Sequence, residues 1–138
     1  MENTYKFNLT IFIIFLLIMP GVIISEEKPE VYFVNIVDGD NVSNPIKVNF
    51  GLKNFVVVPA GINLEFAGHH HLLIYVDLED FKAPIPSDSN HIHFGKGQTE
   101  TVLSLSKGQH TLQLVLGNYL HIPHDPPIMS DKILINVN

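Results

Sequence analysis

The fold is decided by the stretch IKVNFGLK at residues 46–53, in which every second side chain is apolar. Successive side chains of a β-strand point to opposite faces of the sheet. The pattern therefore buries Ile46, Val48 and Phe50 on one face and leaves Lys47 in water. We predict a strand here, in an antiparallel sheet with a single buried face.

Short apolar runs lie on both sides of this stretch, and turn signals such as Asp38-Gly39 and Lys107-Gly108 separate them. No helical periodicity follows residue 25. Together with residues 46–53, these runs predict an all-β fold, an immunoglobulin-like antiparallel β-sandwich of about seven strands. The runs are residues 31–37, 55–58, 69–76, 101–105, 110–116 and 133–137.

Two polar, proline-containing segments interrupt the strand pattern, at residues 77–97 and 117–130. Both are too long for hairpin loops, and long loops on small domains often carry function. Because the loops and strand ends of a sandwich can gather at one end of the domain, we expect these segments to contribute to a shared site.

Residues 1–25 have the features of a secretory signal peptide. Lys6 precedes an apolar run over residues 9–24, and Ser25 is a small residue before a charged start. The alternative is a retained membrane anchor, but such a helix needs about 20 apolar residues, and this run is shorter and contains Pro and Gly. We therefore predict cleavage, one β-sandwich domain at residues 26–138, and a location in the periplasm or outside the cell.

The composition excludes several classes of function. The chain has a formal net charge of −6 and no Arg, whereas nucleic-acid binding needs a basic surface. The same charge opposes binding to an anionic lipid surface, so we expect no nucleic-acid partner and no membrane contact after signal cleavage. There is also no Cys, which excludes both stabilising disulfides and a thiol nucleophile.

Eight histidines stand out among the polar residues, and only His110 lies outside a group. Residues two apart on a strand have Cβ atoms about 6–7 Å apart on one face. Two imidazoles at that spacing can bind one ion about 2.0–2.1 Å from each nitrogen. The groups are a run of three, a His-x-His pair and a His-x-x-His pair: His69-His70-His71, His91 with His93, and His121 with His124.

We predict that the grouped histidines bind a transition metal, Zn or Cu, for storage, delivery or sensing. Imidazole ligands suit Zn²⁺ and Cu²⁺, whereas Cu⁺ prefers sulfur, which the mature chain offers only at Met129. The expected partners are the metal ion and another exported protein. The predicted ligands are His69, His70, His71, His91, His93, His121 and His124.

Three other interpretations of the same histidines stand beside this one. In the first, the protein is a non-enzymatic interaction or structural module whose histidines anchor loops through hydrogen bonds. In the second, the clustered histidines gain charge together near pH 6 and act as a pH sensor. In the third, the protein is a metal-dependent enzyme, with a coordination position beside a carboxylate such as Glu100 or Asp125. The sequence predicts no catalytic residue and favours a non-enzyme.

Four ordered motifs are spread along the chain after residue 67: GHHHLLI at 68–74, HIHFGKGQTE at 91–100, HTLQL at 110–114 and HIPHDPP at 121–127. Together they resemble a family of exported bacterial proteins catalogued as domain of unknown function 4399. The resemblance implies export and a β-domain, and it implies no activity. Tyr75 departs from the family pattern, in which an acidic residue is expected after Ile74.

Overall fold

Nine strands are found in residues 27–138, the part of the chain that the computed structural model describes. The predicted signal peptide, residues 1–25, lies outside the described residues. Within them, no helix is long and apolar enough to cross a membrane. In chain order the strands are β1 (Glu30–Phe33), β2 (Asn41–Val42), β3 (Ile46–Lys53), β4 (Val56–Val57), β5 (Ala67–Ile74), β6 (His91–His93), β7 (Glu100–Leu103), β8 (Gly108–Gly117) and β9 (Ile133–Val137).

The strands form two sheets. The smaller sheet has the order β1-β3-β7, and both of its strand pairs are antiparallel. The larger sheet has the order β2-β9-β8-β5-β4, and β6 also pairs with β5. Only the short strands β2 and β4 run parallel to their neighbours, β9 and β5. The predicted all-β sandwich, largely antiparallel, is confirmed, with nine strands where the sequence predicts about seven.

The main core lies between the sheets and follows the alternation of β3. Ile46, Val48 and Phe50 are 3%, 0% and 5% exposed. They belong to one apolar cluster with Leu72 of β5 and Leu114 of β8. The period of two in β3 therefore fixes which face of the small sheet meets the large one.

All seven predicted strands are present, but the first is shorter than predicted. β1 ends at Phe33, whereas the apolar pattern continues to Val37. Beyond Phe33, the amide of Asn35 donates to the carbonyl of Lys47 at 2.8 Å, and its Oδ1 accepts from the backbone N–H of Asn49 at 2.8 Å. After one more backbone bond, from the N–H of Val34 to the carbonyl of Asn49, the Asn35 side chain continues the contact and keeps the segment beside β3.

The sequence pattern does not predict β2 or β6, because they have two and three residues, too few to show a period. β6 lies inside the segment 77–97, which the sequence presents as irregular. Pairing with β5 holds it, with His93 opposite His71 and His91 opposite Leu73. This pairing brings the His-x-His pair to the run of three histidines.

β5 is buried on both of its faces, and all eight of its residues are buried. One face points into the main core. On the other face, Leu73 forms a second apolar cluster with Leu78 and Ile85, which follow β5 in the chain, and with Val115 of β8. The segment after β5 thus covers the outer face of the large sheet, and it keeps both faces of β5 out of water.

Truncation of a side chain in the large sheet should cost more stability at a buried position than at a solvent-exposed one. Leu72 of β5 is fully buried, so Leu72→Ala should lower the free energy of unfolding by about 2–5 kcal/mol. Leu134 of β9 is 39% exposed, and Leu134→Ala should cost less than about 1 kcal/mol. Urea unfolding of both variants measures the difference, and equal losses would contradict the described packing.

Candidate metal centre

The alternation of β5 divides its three histidines between two environments. His69 and His71 point to the outer face of the large sheet, and His70 points into the main core. Register then places His93 of β6 directly opposite His71. The rings of His71 and His93 are stacked, with centroids 5.0 Å apart and planes at 26°. A strand pair thus delivers three imidazoles to one face, two from β5 and one from β6.

These three imidazoles converge on a common point. His69, His71 and His93 each offer one ring nitrogen, and the three nitrogens all lie within 4.8 Å of one another. The side chains of His69 and His71 are fully buried, whereas His93 is partly exposed. Three neutral imidazole nitrogens at this spacing match the ligand set of a transition-metal site.

A fourth ring, that of His121, stands beside the three. Its centroid is 4.6 Å from that of His93, 5.0 Å from that of His69 and 6.1 Å from that of His71. Four imidazoles around one tetrahedral ion have centroids about 5 Å apart. His121 therefore has the right ring placement, but its nitrogens are not part of the convergent group.

Local backbone structure holds His121 at this position. The residue has φ 66°, an uncommon value for a residue other than glycine. Its N–H donates to the carbonyl of Asn118 at 2.9 Å, and the Asn118 side chain accepts from the N–H groups of Leu120 and Ile122. The carbonyl of His121 accepts from the N–H of Ile85, which ties the two irregular segments together.

Two glycines make room for rings of the histidine cluster, which consists of His69, His71, His93 and His121. A Cβ added at Gly117, which ends β8, would lie 2.7 Å from His71 Cε1. A Cβ added at Gly95 would lie 2.7 Å from His93 Nε2. These distances are too short for a Cβ atom. Because glycine has no Cβ, the imidazoles of His71 and His93 can pack directly against the backbone at Gly117 and Gly95. The sequence does not predict either contact, although Gly95 lies only two residues after His93.

Five ring nitrogens of His69, His71 and His93 are buried without a hydrogen-bond partner among the described residues. Both nitrogens of His69 and of His71 are buried and unpartnered, as is Nε2 of His93. A buried polar atom left without a partner costs about 1–3 kcal/mol, and native proteins rarely leave several together. A bound metal ion would satisfy one nitrogen of each ring by accepting its lone pair.

Burial also sets the protonation of the cluster. It lowers the pKa of His69 to about 4 and that of His71 to about 3, and the neighbouring histidines add to the effect. Burial lowers the pKa of His93 as well, again helped by His121. The imidazoles are therefore neutral at pH 7, which is the form that binds a metal.

The structure does not bring the other three predicted ligands into this cluster. His70 lies in the main core with its ring 5.3 Å from that of Phe50, and burial lowers its pKa to about 4. His91 lies on the same face as His93, but its Nδ1 binds Asp88 at 2.8 Å, and this hydrogen bond lowers the pKa of Asp88.

His124 lies on the core side of β5. Its Nε2 would be 2.9 Å from a Cβ at Gly68, and Gly68 faces away from His69 because adjacent strand residues point to opposite faces. The His124 ring meets the edge of Phe55, with centroids 5.1 Å apart. Burial lowers the pKa of His124. The pair His121 and His124 is therefore divided between the two sides of the large sheet.

His110, which lies outside the sequence groups, is a hydrogen-bonded structural residue. Its Nε2 donates to the carbonyl of Ser106 at 2.7 Å, and its Nδ1 is hydrogen-bonded to the hydroxyl of Tyr75. Tyr75 stands where the family pattern leads us to expect an acid, and it serves as a partner for this buried imidazole.

The buried histidines should make the metal-free protein sensitive to acid. Between pH 6.5 and about 4 the unfolded chain binds protons that the folded His69, His70 and His71 do not, so the free energy of unfolding falls as pH is lowered. Each of the three contributes a slope of about 1.4 kcal/mol per pH unit. Urea unfolding in a chelator at pH 7 to 4.5 measures the slope.

His70→Gln provides the internal comparison for this acid sensitivity, because the residue lies outside the convergent group. The variant should lose about 1.4 kcal/mol per pH unit of the slope below pH 6.5. If the free energy of unfolding of the metal-free wild-type protein stayed constant from pH 6.5 to 4.5, this would contradict the described burial of the histidines.

Comparison with known proteins places the chain in a family. No curated protein and no solved structure matches it. The model of a family described as Domain of unknown function (DUF4399) matches residues 48–138, about two thirds of the chain. The matched range includes every histidine of the protein, and it confirms the resemblance seen in the four sequence motifs. The chain therefore belongs to the DUF4399 family.

Proposed function

We propose that this protein binds one transition-metal ion, Zn or Cu, through the imidazoles of His69, His71 and His93. The observation that carries the proposal is the convergence of three ring nitrogens within 4.8 Å, on side chains whose buried nitrogens have no described protein partner. Storage, delivery or sensing of the metal is the role that such a site supports best.

The ligand chemistry favours Zn²⁺ or Cu²⁺ over other ions. All three converging atoms are imidazole nitrogens, which suit both metals, whereas Mg²⁺ and Ca²⁺ require oxygen ligands. The thioether of Met129, which would favour Cu⁺, packs against the apolar cluster of Leu73 and Val115. The low pKa values of His69 and His71 also mean that protons do not compete for the site at neutral pH.

Hydrogen bonding separates this proposal from the structural alternative. A loop-anchoring role requires histidines whose ring nitrogens are bonded, and that description fits His91 with Asp88 and His110 with Ser106. It does not fit His69 and His71, whose four ring nitrogens have no partner among the described residues. A metal ion would bind one nitrogen of each ring, whereas loop anchoring accounts for neither nitrogen. The ring nitrogens of His70 in the main core are buried and unpartnered as well, so it is the convergence within 4.8 Å that singles out His69, His71 and His93.

The carboxylates named for an enzyme do not support that alternative. Glu100 begins β7 in the smaller sheet, where it forms an ion pair with Lys47 at 3.0 Å. Asp125 is exposed and follows His124, whose ring lies on the core side of β5. The convergent group among the described residues contains only histidines. We therefore propose a binding protein, without a general base at the metal.

Export completes the proposal. The predicted signal peptide at residues 1–25 would place the domain in the periplasm or outside the cell. The chain has no Cys of its own that would compete with the histidines for the metal. A second exported protein that supplies or receives the ion is the partner that this role requires.

Metal retention tests the proposed function directly. The protein, purified without a His tag and dialysed against equimolar Zn²⁺ and Cu²⁺, should keep about one ion per chain. His93→Ala should weaken binding at least about 100-fold, because it removes a ligand and not merely a supporting group. Elemental analysis gives the stoichiometry, and a competing chelator gives the affinity.

The matched control is His91→Ala, two residues earlier on β6 and hydrogen-bonded to Asp88. It should keep the metal with wild-type stoichiometry. Urea unfolding of His93→Ala in a chelator shows whether the fold survives the change. A wild-type protein that keeps no metal, or a His91→Ala variant that loses it as His93→Ala does, would refute the proposed site.

A further inference from the structure

The ligand set leaves a bound divalent ion without a charge partner from the protein. The three convergent ligands are neutral imidazoles. No carboxylate oxygen of a described residue belongs to the convergent group. An ion of charge +2 in a buried site is costly unless an opposite charge accompanies it.

Burial of the ligands is uneven and leaves one direction of approach. His69 and His71, on the central strand β5, are fully buried. His93, on β6, and His121, in the segment after β8, are partly exposed. A small ligand from solvent can therefore reach the ion on the side of His93 and His121, and not through the sheet.

His121 stands beside this approach without being part of the convergent group. Its ring is 4.6 Å from that of His93 and 5.0 Å from that of His69, yet its nitrogens are not within 4.8 Å of all three ligand atoms. Turns closed by Asn118 and the bond from Ile85 fix its backbone. The ring thus lines the fourth coordination position and does not fill it in this arrangement.

We propose that the metal bound by His69, His71 and His93 takes a small inorganic anion from solvent as its fourth ligand, beside His121. This inference rests on the proposed function. The anion supplies the negative charge that the described protein groups do not, and it completes a tetrahedral coordination that three histidines leave unfinished. Zinc sites with three protein ligands commonly hold an exchangeable fourth ligand in this way.

The specificity of the anion comes from the ion and not from the protein surface. The chain carries a formal net charge of −6, which repels anions in solution. Azide, cyanate and thiocyanate are small anions that can serve as probes of this position. Without the metal, the protein should bind none of them.

Azide titration of the Cu²⁺-loaded protein tests the inference. Copper content is measured first, so that a failure to bind copper is distinguished from a failure of the bound copper to take azide. Wild-type protein with about one copper per chain should develop an azide-to-copper charge-transfer band that saturates at one azide per copper. The band should be absent from metal-free protein and from Zn²⁺-loaded protein, which has no such transition.

Two variants complete the experiment. His121→Ala should retain copper and bind azide within a few-fold of wild type, since His121 lines the position without occupying it. His91→Ala should behave as wild type in both measurements. A band that appears only in His121→Ala would overturn the inference, because it would make His121 the fourth ligand. Absence of the band from both copper-loaded wild type and copper-loaded His121→Ala would overturn it too. Wild-type protein that retains no copper would overturn the proposed function together with this inference.

Discussion

The described structure depends on the burial of both faces of one central strand, β5, which removes its imidazoles from water together with its leucines. β5 is covered by the small sheet on one side and by the segment after it on the other, so no residue of the strand reaches solvent. Apolar side chains such as Leu72 gain from this burial. His69 and His71 lose hydrogen bonds to water and find no described protein partner in return. Burial that stabilises the sandwich therefore creates an unmet demand for a ligand at the same place.

The irregular segments carry the other histidines of the candidate site. The segment after β5 places Leu78 and Ile85 over Leu73 and then forms β6, which delivers His93. The segment after β8 delivers His121, and the bond from Ile85 joins the two. The segments that cover the outer face of the large sheet therefore also position the histidines of the candidate site. This explains why they are long and yet ordered by contacts with the sheet.

The sequence predicts the parts of the site that depend on local periodicity. The period of two along β5 places His69 and His71 on one face and His70 on the other, although the predicted ligands include all three. The alternation of β3 correctly predicts the face that meets the core. The sequence does not predict β6, because a three-residue strand has no detectable period. Nor does it show that His91 and His93 have different partners, or that His124 lies on the other side of β5 from His121. These facts depend on strand register and on the path of a proline-containing loop, which are set by contacts between distant residues.

The two kinds of backbone that hold the cluster differ in how easily they can open. His69 and His71 belong to a strand paired on both edges, and their displacement would require part of the sandwich to unfold. His93 lies on a short edge strand and His121 on a turn, and such elements open at a lower free energy than central strands. On the proposed function, an ion would enter and leave by the edge while two of its ligands stay in place. Exchange with a partner protein could then be fast without any loss of the fold, so the rate of metal transfer and the stability of the domain could vary independently.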